Sequence, residues 1–289
     1  MPKAIKSLQG YFRKIAQLNE ESHGVQLYYR GHSDVDYKIF PSVFRSKNLQ
    51  DSEHLMIRQL MAQQPREFRE DYGIFDNLVR AQHYALPTRL LDVTLNPLVA
   101  LYFSVCRNEK KRASVVVFKS EVGKQKYFDS DVVACLSALS LLTYGEKNNI
   151  VSSIFKAFKS IYPPNLTIDG QPLREFNNSV EVKRLIQLVQ REKPNFADRI
   201  QPIDLVNAVV VVPRKLHSRI IAQNGAFVIF GVGKTEKAIV EENITTEQIH
   251  IDQDSKAQLL KELAQVGVSE SSLFPEIDKA ALAIKRRYD

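Results

Sequence analysis

The sequence predicts an α+β fold, and three observations carry that prediction. Runs rich in β-branched residues, such as the almost pure valine stretch Ala208 to Val212, read as buried strands. Other segments place apolar residues at helical spacing, as in Leu8, Tyr11, Phe12, Ile15 and Leu18. The two kinds of segment mix without a regular strand–helix–strand rhythm, which argues against a doubly wound parallel sheet.

The elements follow in order. Ser7 caps a first helix through Leu18, and Gln26 to Arg30 is a short strand ending at Gly31-His32. Pro41-Ser-Val-Phe44 opens a turn, and Ser52 to Gln64 is a helix. Asp71 to Gln82 is helical through Ile74, Leu78 and Ala81, until Leu86-Pro87 breaks it. Thr88 to Thr94 is a strand. Asn96 then caps a helix with Pro97 at its first position and Leu98, Leu101, Tyr102 and Val105 on its core face. Ala113 to Lys119 is a buried strand, and Asp129 to Ile161 is helical up to Pro163-Pro164. Ser179 to Arg191 is amphipathic. Arg219 to Gln223 is a helical turn before Gly225, and Ala226 to Phe230 is a strand. Gln248-Ile-His-Ile251 is a further strand, Ser255 to Gln265 a helix closed by Gly267, and Glu276 to Tyr288 a last helix.

The chain has 289 residues, 44% hydrophobic and 25% charged, enough for a sizeable core in one large domain or two intimate ones. That balance excludes a disordered chain. Two cysteines, Cys106 and Cys135, sit in apolar stretches and read as buried thiols, which excludes a disulfide framework and fits a reducing compartment. The beginning, Met1-Pro-Lys-Ala-Ile-Lys6, lacks a signal-peptide apolar run, and no stretch approaches the roughly 18 apolar residues of a membrane span. The expectation is a soluble cytoplasmic protein with no membrane partner. The net charge of +7 favours contact with polyanions and is equally compatible with a solvated basic surface.

Three constellations carry candidate chemistry. In Tyr28-Tyr29-Arg30-Gly31-His32, an arginine at a strand end is followed by a glycine that lets a ligand approach the backbone. A guanidinium grips phosphate in bidentate fashion. The segment from Gln82 to Thr94 is dense in polar groups between apolar ones, so it predicts a buried hydrogen-bonded network. Within it His83 is a candidate acid or base. Arg89 and Asp92 fall on opposite faces of a regular strand, whereas Asp92 and Thr94 share one. In the third constellation, Arg219 to Phe227, Gln223 stands before Gly225 and a strand, and offers an amide to the same cleft. Each has a plainer reading: a surface arginine before a turn, a structural histidine, an exposed glutamine at a helix end. Gly231-Val-Gly233-Lys-Thr235 ends like a phosphate-binding loop but lacks the loop's first glycine, since Val228 stands there. The six histidines, at 23, 32, 54, 83, 217 and 250, are too scattered for a metal site, and no metal is expected.

These residues resemble the FRG-domain family. The resemblance rests on Tyr29-Arg30-Gly31-His32, Gln82-His83-Tyr84, Leu86 to Asp92, Thr94, Asn96-Pro97 and Ala100 to Phe103. Later it takes in Arg219-Ile220, Gln223, Gly225 and Phe227, and the tail Ser272 to Pro275 with Ile277-Asp278. It implies a mixed sheet core similar to an ADP-ribosyltransferase fold, with helical insertions and a C-terminal helical tail. The implied domain is residues 1–235 with an insertion near 129–195, and 236–289 as a strand and helices packed on it. The implied activity is transfer of ADP-ribose from NAD, of toxin or antiphage-defence type, to a nucleic-acid or protein acceptor. A cell-toxic enzyme of that kind would need a neutralising, antitoxin-like protein partner. Arg30, with Tyr28, Tyr29, Gly31, His32, Tyr84, Thr88, Arg89 and Thr94, would bind NAD; Asp92, His83 and Gln223 would carry the chemistry. No glutamate stands between Gln223 and Phe230, where that architecture places its catalytic carboxylate. Two other readings remain: a non-catalytic nucleotide or nucleic-acid binding module, and a hydrolase or nuclease using His83 and Asp92.

Overall fold

The computed structural model describes residues 4–159, 168–197, 199–232 and 244–276, together with residues 281 and 285. The predicted helix over 276–288, the Gly233-Lys-Thr235 run, Ile277-Asp278 and Pro163-Pro164 lie, apart from Glu276 and those two single residues, outside the described residues.

Among the described residues the fold is α+β, with twelve α-helices and one seven-stranded open sheet. The chain opens with α1 (Leu8–Glu21), β1 (Val25–His32) and α2 (Lys47–Gln63). Next come α3 (Ile74–His83), β2 (Leu90–Thr94), α4 (Pro97–Val105), β3 (Ala113–Glu121) and β4 (Lys126–Tyr127). The middle is helical: α5 (Asp131–Ala138), α6 (Tyr144–Lys159), α7 (Gly170–Asn177), α8 (Val180–Gln190) and α9 (Pro202–Val206). The later part holds β5 (Ala208–Val212), α10 (Ser218–Ala222), β6 (Gly225–Phe230), β7 (Ile244–Ile251), α11 (Lys256–Gln265) and α12 (Glu270–Leu273). The strand order is β4-β5-β6-β2-β1-β3-β7, with β4 and β5 parallel and every other pair antiparallel.

Local chemistry explains the boundaries. The Ser7 side chain accepts from Gly10 N at 3.2 Å and starts α1. The Asn96 carboxamide oxygen accepts from Leu98 N at 2.9 Å, with Pro97 at the first helical position of α4. The stretch expected to be helical over 129–161 is helical as two helices, with a 3-10 turn over Leu139–Leu141 between them. β7 pairs with β3 along its whole length. Among the described residues β7 is therefore the last strand in the sheet's order.

Both faces of the sheet are buried. One face carries Leu90, Val211 and Phe227 against α3, α5 and α8, and further along the same face Leu27, Tyr29 and Val117 against α1, α4 and α11. The other face carries Tyr28, Leu91, Val93, Phe118 and Val228 under Ile39, Phe40 and Phe44 from the segment after β1. Thus α4 and the 39–44 segment lie on opposite sides of β1.

Candidate functional site

β1 and β2 are paired at one position, Tyr29 with Thr94, although β1 is also zipped to β3 over eight residues. Beyond that contact the two strands diverge, and the divergence opens a cleft of about 310 Å³. This is a break in the middle of the sheet, where unpaired backbone and alternating side chains from two strands meet.

Arg30 spans the break. Its Nε donates to His32 Nε2 at 3.3 Å and its Nη1 donates to the Asp92 carbonyl at 2.6 Å, with the Asp92 carboxylate 3.7 Å away. Nη2 has no partner among the described residues. Burial pulls the guanidinium below its ordinary value, Asp92 raises it again, and Arg45 adds to the lowering. The group stays charged, since arginine does not lose its proton in proteins. His32 is buried and its pKa is lowered to about 4, first by burial and then by Arg30 and Arg45, with the Tyr37 backbone working the other way. A neutral imidazole is what lets Nε2 accept from Arg30.

The cleft is basic and partly aromatic. Arg30, Lys38, Arg45, Arg107 and Arg219 line it against a single carboxylate, Asp92, with Tyr37, Phe103 and Phe274 among its walls. Lys256, buried under the rim, donates to the carbonyls of Ser33, Arg107 and Asn108 at 2.8, 3.1 and 2.9 Å, so it fixes two cleft-lining loops to α11. A smaller chamber of about 100 Å³ adjoins the cleft and shares Asp92, Arg219 and Gln223 with it. Gln82, His83 and His217 line this chamber. The His83 and His217 rings stack at 5.3 Å and 15°.

The structure brings together Arg30, His32, Tyr29, Asp92 and Thr94 at the cleft, and His83 and Gln223 at or beside it. Other candidates stand elsewhere. Tyr28 shares the face of Arg30 and His32 on β1, but it is buried in the core under Ile39, Phe40 and Phe44 and does not line the cleft. Thr88 is buried, donating to Gln82 Oε1 and accepting from Leu90 N at 3.2 Å. Arg89 is buried in an ion-pair group: Nε and Nη2 donate to Glu53 at 2.8 and 2.6 Å, Nη1 donates to the Phe230 carbonyl at 3.0 Å, and Lys147 donates to Glu53 at 2.7 Å. Tyr84 is exposed beyond α3, its hydroxyl donating to Glu67 at 2.8 Å. Tyr28, Thr88, Arg89 and Tyr84 therefore support the fold around the site and do not line the cleft.

Gly31 also has another reason to be glycine. A Cβ there would stand 2.0 Å from the Ala100 carbonyl oxygen and 2.6 Å from Ser104 N. The residue admits α4 against β1; close approach of helix to strand, and not of ligand to backbone, sets it. The Gln223 side-chain amide donates to the Leu273 carbonyl at 3.0 Å, and the Gln223 backbone carbonyl accepts from Thr94 Oγ1 at 2.6 Å. It is a tether between β2, α10 and the C-terminal segment.

Lys38, Arg45, Arg107, His217 and Glu276 escaped sequence reasoning. They lie in separate loops and turns, and no spacing distinguishes a loop cation facing a cleft from one facing water. Among the described residues no group of three or more His, Cys, Asp or Glu side chains is arranged to hold a metal ion, and no helix is long and apolar enough to cross a membrane. A larger cavity of about 470 Å³ lies at Tyr72, Asp76, Phe128 and Glu192 and shares no lining residue with the cleft or the small chamber. Its acids are engaged: Asp76 accepts from Tyr72 N and Arg214, and Glu192 accepts from Ile74 N.

No curated protein and no solved structure gives a significant match to the chain. Residues 25–113, which carry Arg30, the break in the sheet and all of α4, match the family model of the FRG domain, and this match supports the FRG-domain family for the chain.

Proposed function

We propose that the cleft binds NAD and that the protein transfers ADP-ribose from it to a nucleic-acid or protein acceptor. The observation that carries this reading is Arg30: a half-buried cation held by a hydrogen bond to His32 and by another across the break in the sheet to Asp92, facing a cleft with four further basic side chains. Such a group suits a diphosphate, and the aromatic walls suit a stacked ring. The chemistry asks little of the side chains. As the bond between nicotinamide and ribose breaks, positive charge builds on the sugar, and Asp92, exposed at the mouth of both chambers, offsets it. His83 in the small chamber takes the proton from the acceptor's nucleophile as that atom bonds to the ribose. Nicotinamide leaves neutral, so the balance is NAD plus acceptor to ADP-ribosyl acceptor, nicotinamide and one proton.

A second reading, a nucleotide-binding module without turnover, draws on one observation. β6 carries no carboxylate, and the Gln223 amide is committed to Leu273. One experiment separates the two. Pure protein is incubated with NAD labelled on the adenylate, together with cellular RNA, DNA or protein, beside Arg30→Ala. Label transferred by the wild type and not by Arg30→Ala supports the transferase. NAD binding without transfer or nicotinamide release supports the module. Transfer undiminished in Arg30→Ala removes Arg30 from the mechanism.

A further inference from the structure

The segment that follows α12 is pinned against the site. α12 starts with a capping box at Ser269 and Ser272, and Leu273 is buried in the core beneath α4. The Leu273 carbonyl accepts from Gln223, and the Phe274 ring lies 4.7 Å from the Arg219 guanidinium and edge-on to Phe103. Two residues further on, Glu276 meets the small chamber: its Oε1 stands 3.8 Å from His83 Nε2. Both side chains are largely shielded, 19% and 23% exposed. The other oxygen, Oε2, is buried and meets no donor among the described residues. A shielded carboxylate short of donors stabilises an imidazolium that forms beside it, and His83 is the ring it faces.

The neighbouring ring makes the point sharper. His83 stacks face to face on His217, and two imidazoles so placed do not both carry a proton readily. His217 is pushed down by burial, then by Arg80 and His83, with Asp71 and Glu67 opposing. Glu67 is itself bonded to Tyr84, which packs edge-on to His83, while Asp92 and Arg219 stand at the chamber's mouth.

We infer that Glu276 is a positioning residue that makes His83, and not His217, the ring of the stacked pair that takes up a proton, so that the C-terminal segment completes the proton-handling half of the site. Glu276 touches no reacting atom; it stabilises the imidazolium formed when His83 accepts a proton. The role in catalysis rests on the transferase reading, whereas the placement of the proton does not.

The test is a histidine titration by NMR on the full chain, with His83→Gln and His217→Gln used to assign the two rings. Glu276→Gln is expected to lower the His83 pKa by about one unit and to raise that of His217. Glu276→Asp, which keeps the charge on a shorter arm, is expected to restore part of the shift. In the transfer assay, Glu276→Gln should lower kcat about tenfold, leave KM for NAD unchanged, and move the acidic limb of the pH profile down by the same unit. An unmoved His83 titration in Glu276→Gln overturns the inference, whatever the activity. A shifted titration in a protein that transfers nothing retains the proton placement and removes only the reaction.

Discussion

Arg89 immediately precedes β2, three residues before Asp92, and the geometry around it allows a quantitative test. Replacing it with leucine keeps much of its bulk and deletes three hydrogen bonds, two of them charge-assisted bonds to Glu53. Charge-assisted bonds contribute about 1.5–3 kcal/mol each, and removing one partner of a buried pair costs about 3–5 kcal/mol. Lys147 remains on Glu53, so the carboxylate is not wholly abandoned. We expect Arg89→Leu to cost about 4 kcal/mol, against a total stability of about 5–15 kcal/mol for a typical protein. With a urea dependence of about 2 kcal/mol per molar, the unfolding midpoint should fall by about 2 M. Arg89→Lys keeps the charge without the fork and should fall about half as far. Burial works to raise the Glu53 pKa, yet Arg89 and Lys147 hold it below the ordinary glutamate value. A depressed carboxyl contributes stability that is fully present above its unfolded pKa and is lost as pH falls through the folded one. The wild type should therefore lose this contribution below about pH 4.3. A midpoint shift under about 0.5 M for Arg89→Leu would refute the claim that this ion-pair group anchors β2 to α2 and β6.

Two further outcomes follow from the cleft. Gly31→Ala would force a Cβ to within 2.0 Å of the Ala100 carbonyl oxygen and 2.9 Å of the Phe103 carbonyl carbon, backbone atoms that cannot step aside. We expect a loss of about 3 kcal/mol or more, read by thermal melting; a melting point within 2 °C of the wild type, a shift of roughly 1 kcal/mol or less, would contradict the close packing of α4 on β1. The His32 pKa is lowered from 6.5 to about 4. The neutral ring therefore contributes stability that is complete above about pH 6.5 and declines as pH falls toward the folded value, by up to about 3 kcal/mol. His32→Gln should flatten the wild type's stability decline over that interval in urea titrations, and an unchanged slope would show that His32 is not the group responsible.

The α+β class was legible from the residues alone, because hydrophobic spacing and capping act locally. Ser7 and Asn96 announce α1 and α4, and the valines of 208–212 announce β5. The density of polar groups from Gln82 to Thr94 likewise forecast a hydrogen-bonded network, and burial without partners would have been too costly for any other outcome. What that network serves was decided only in three dimensions. Its first half fastens the sheet to α3 through Thr88 and to α2 through Arg89, while Asp92 and Thr94 reach the cleft. Strand alternation sends neighbours to opposite faces, so Tyr28 and Tyr29 entered different cores, while Arg30 and His32, on Tyr28's face, reached the cleft only because it opens at their end of β1. The same limit hid Arg45, Arg107, His217 and Glu276. Their charge is visible in the sequence, but a loop cation or a late carboxylate belongs to a site through long-range closure of the chain, and no local period records which distant segments will meet.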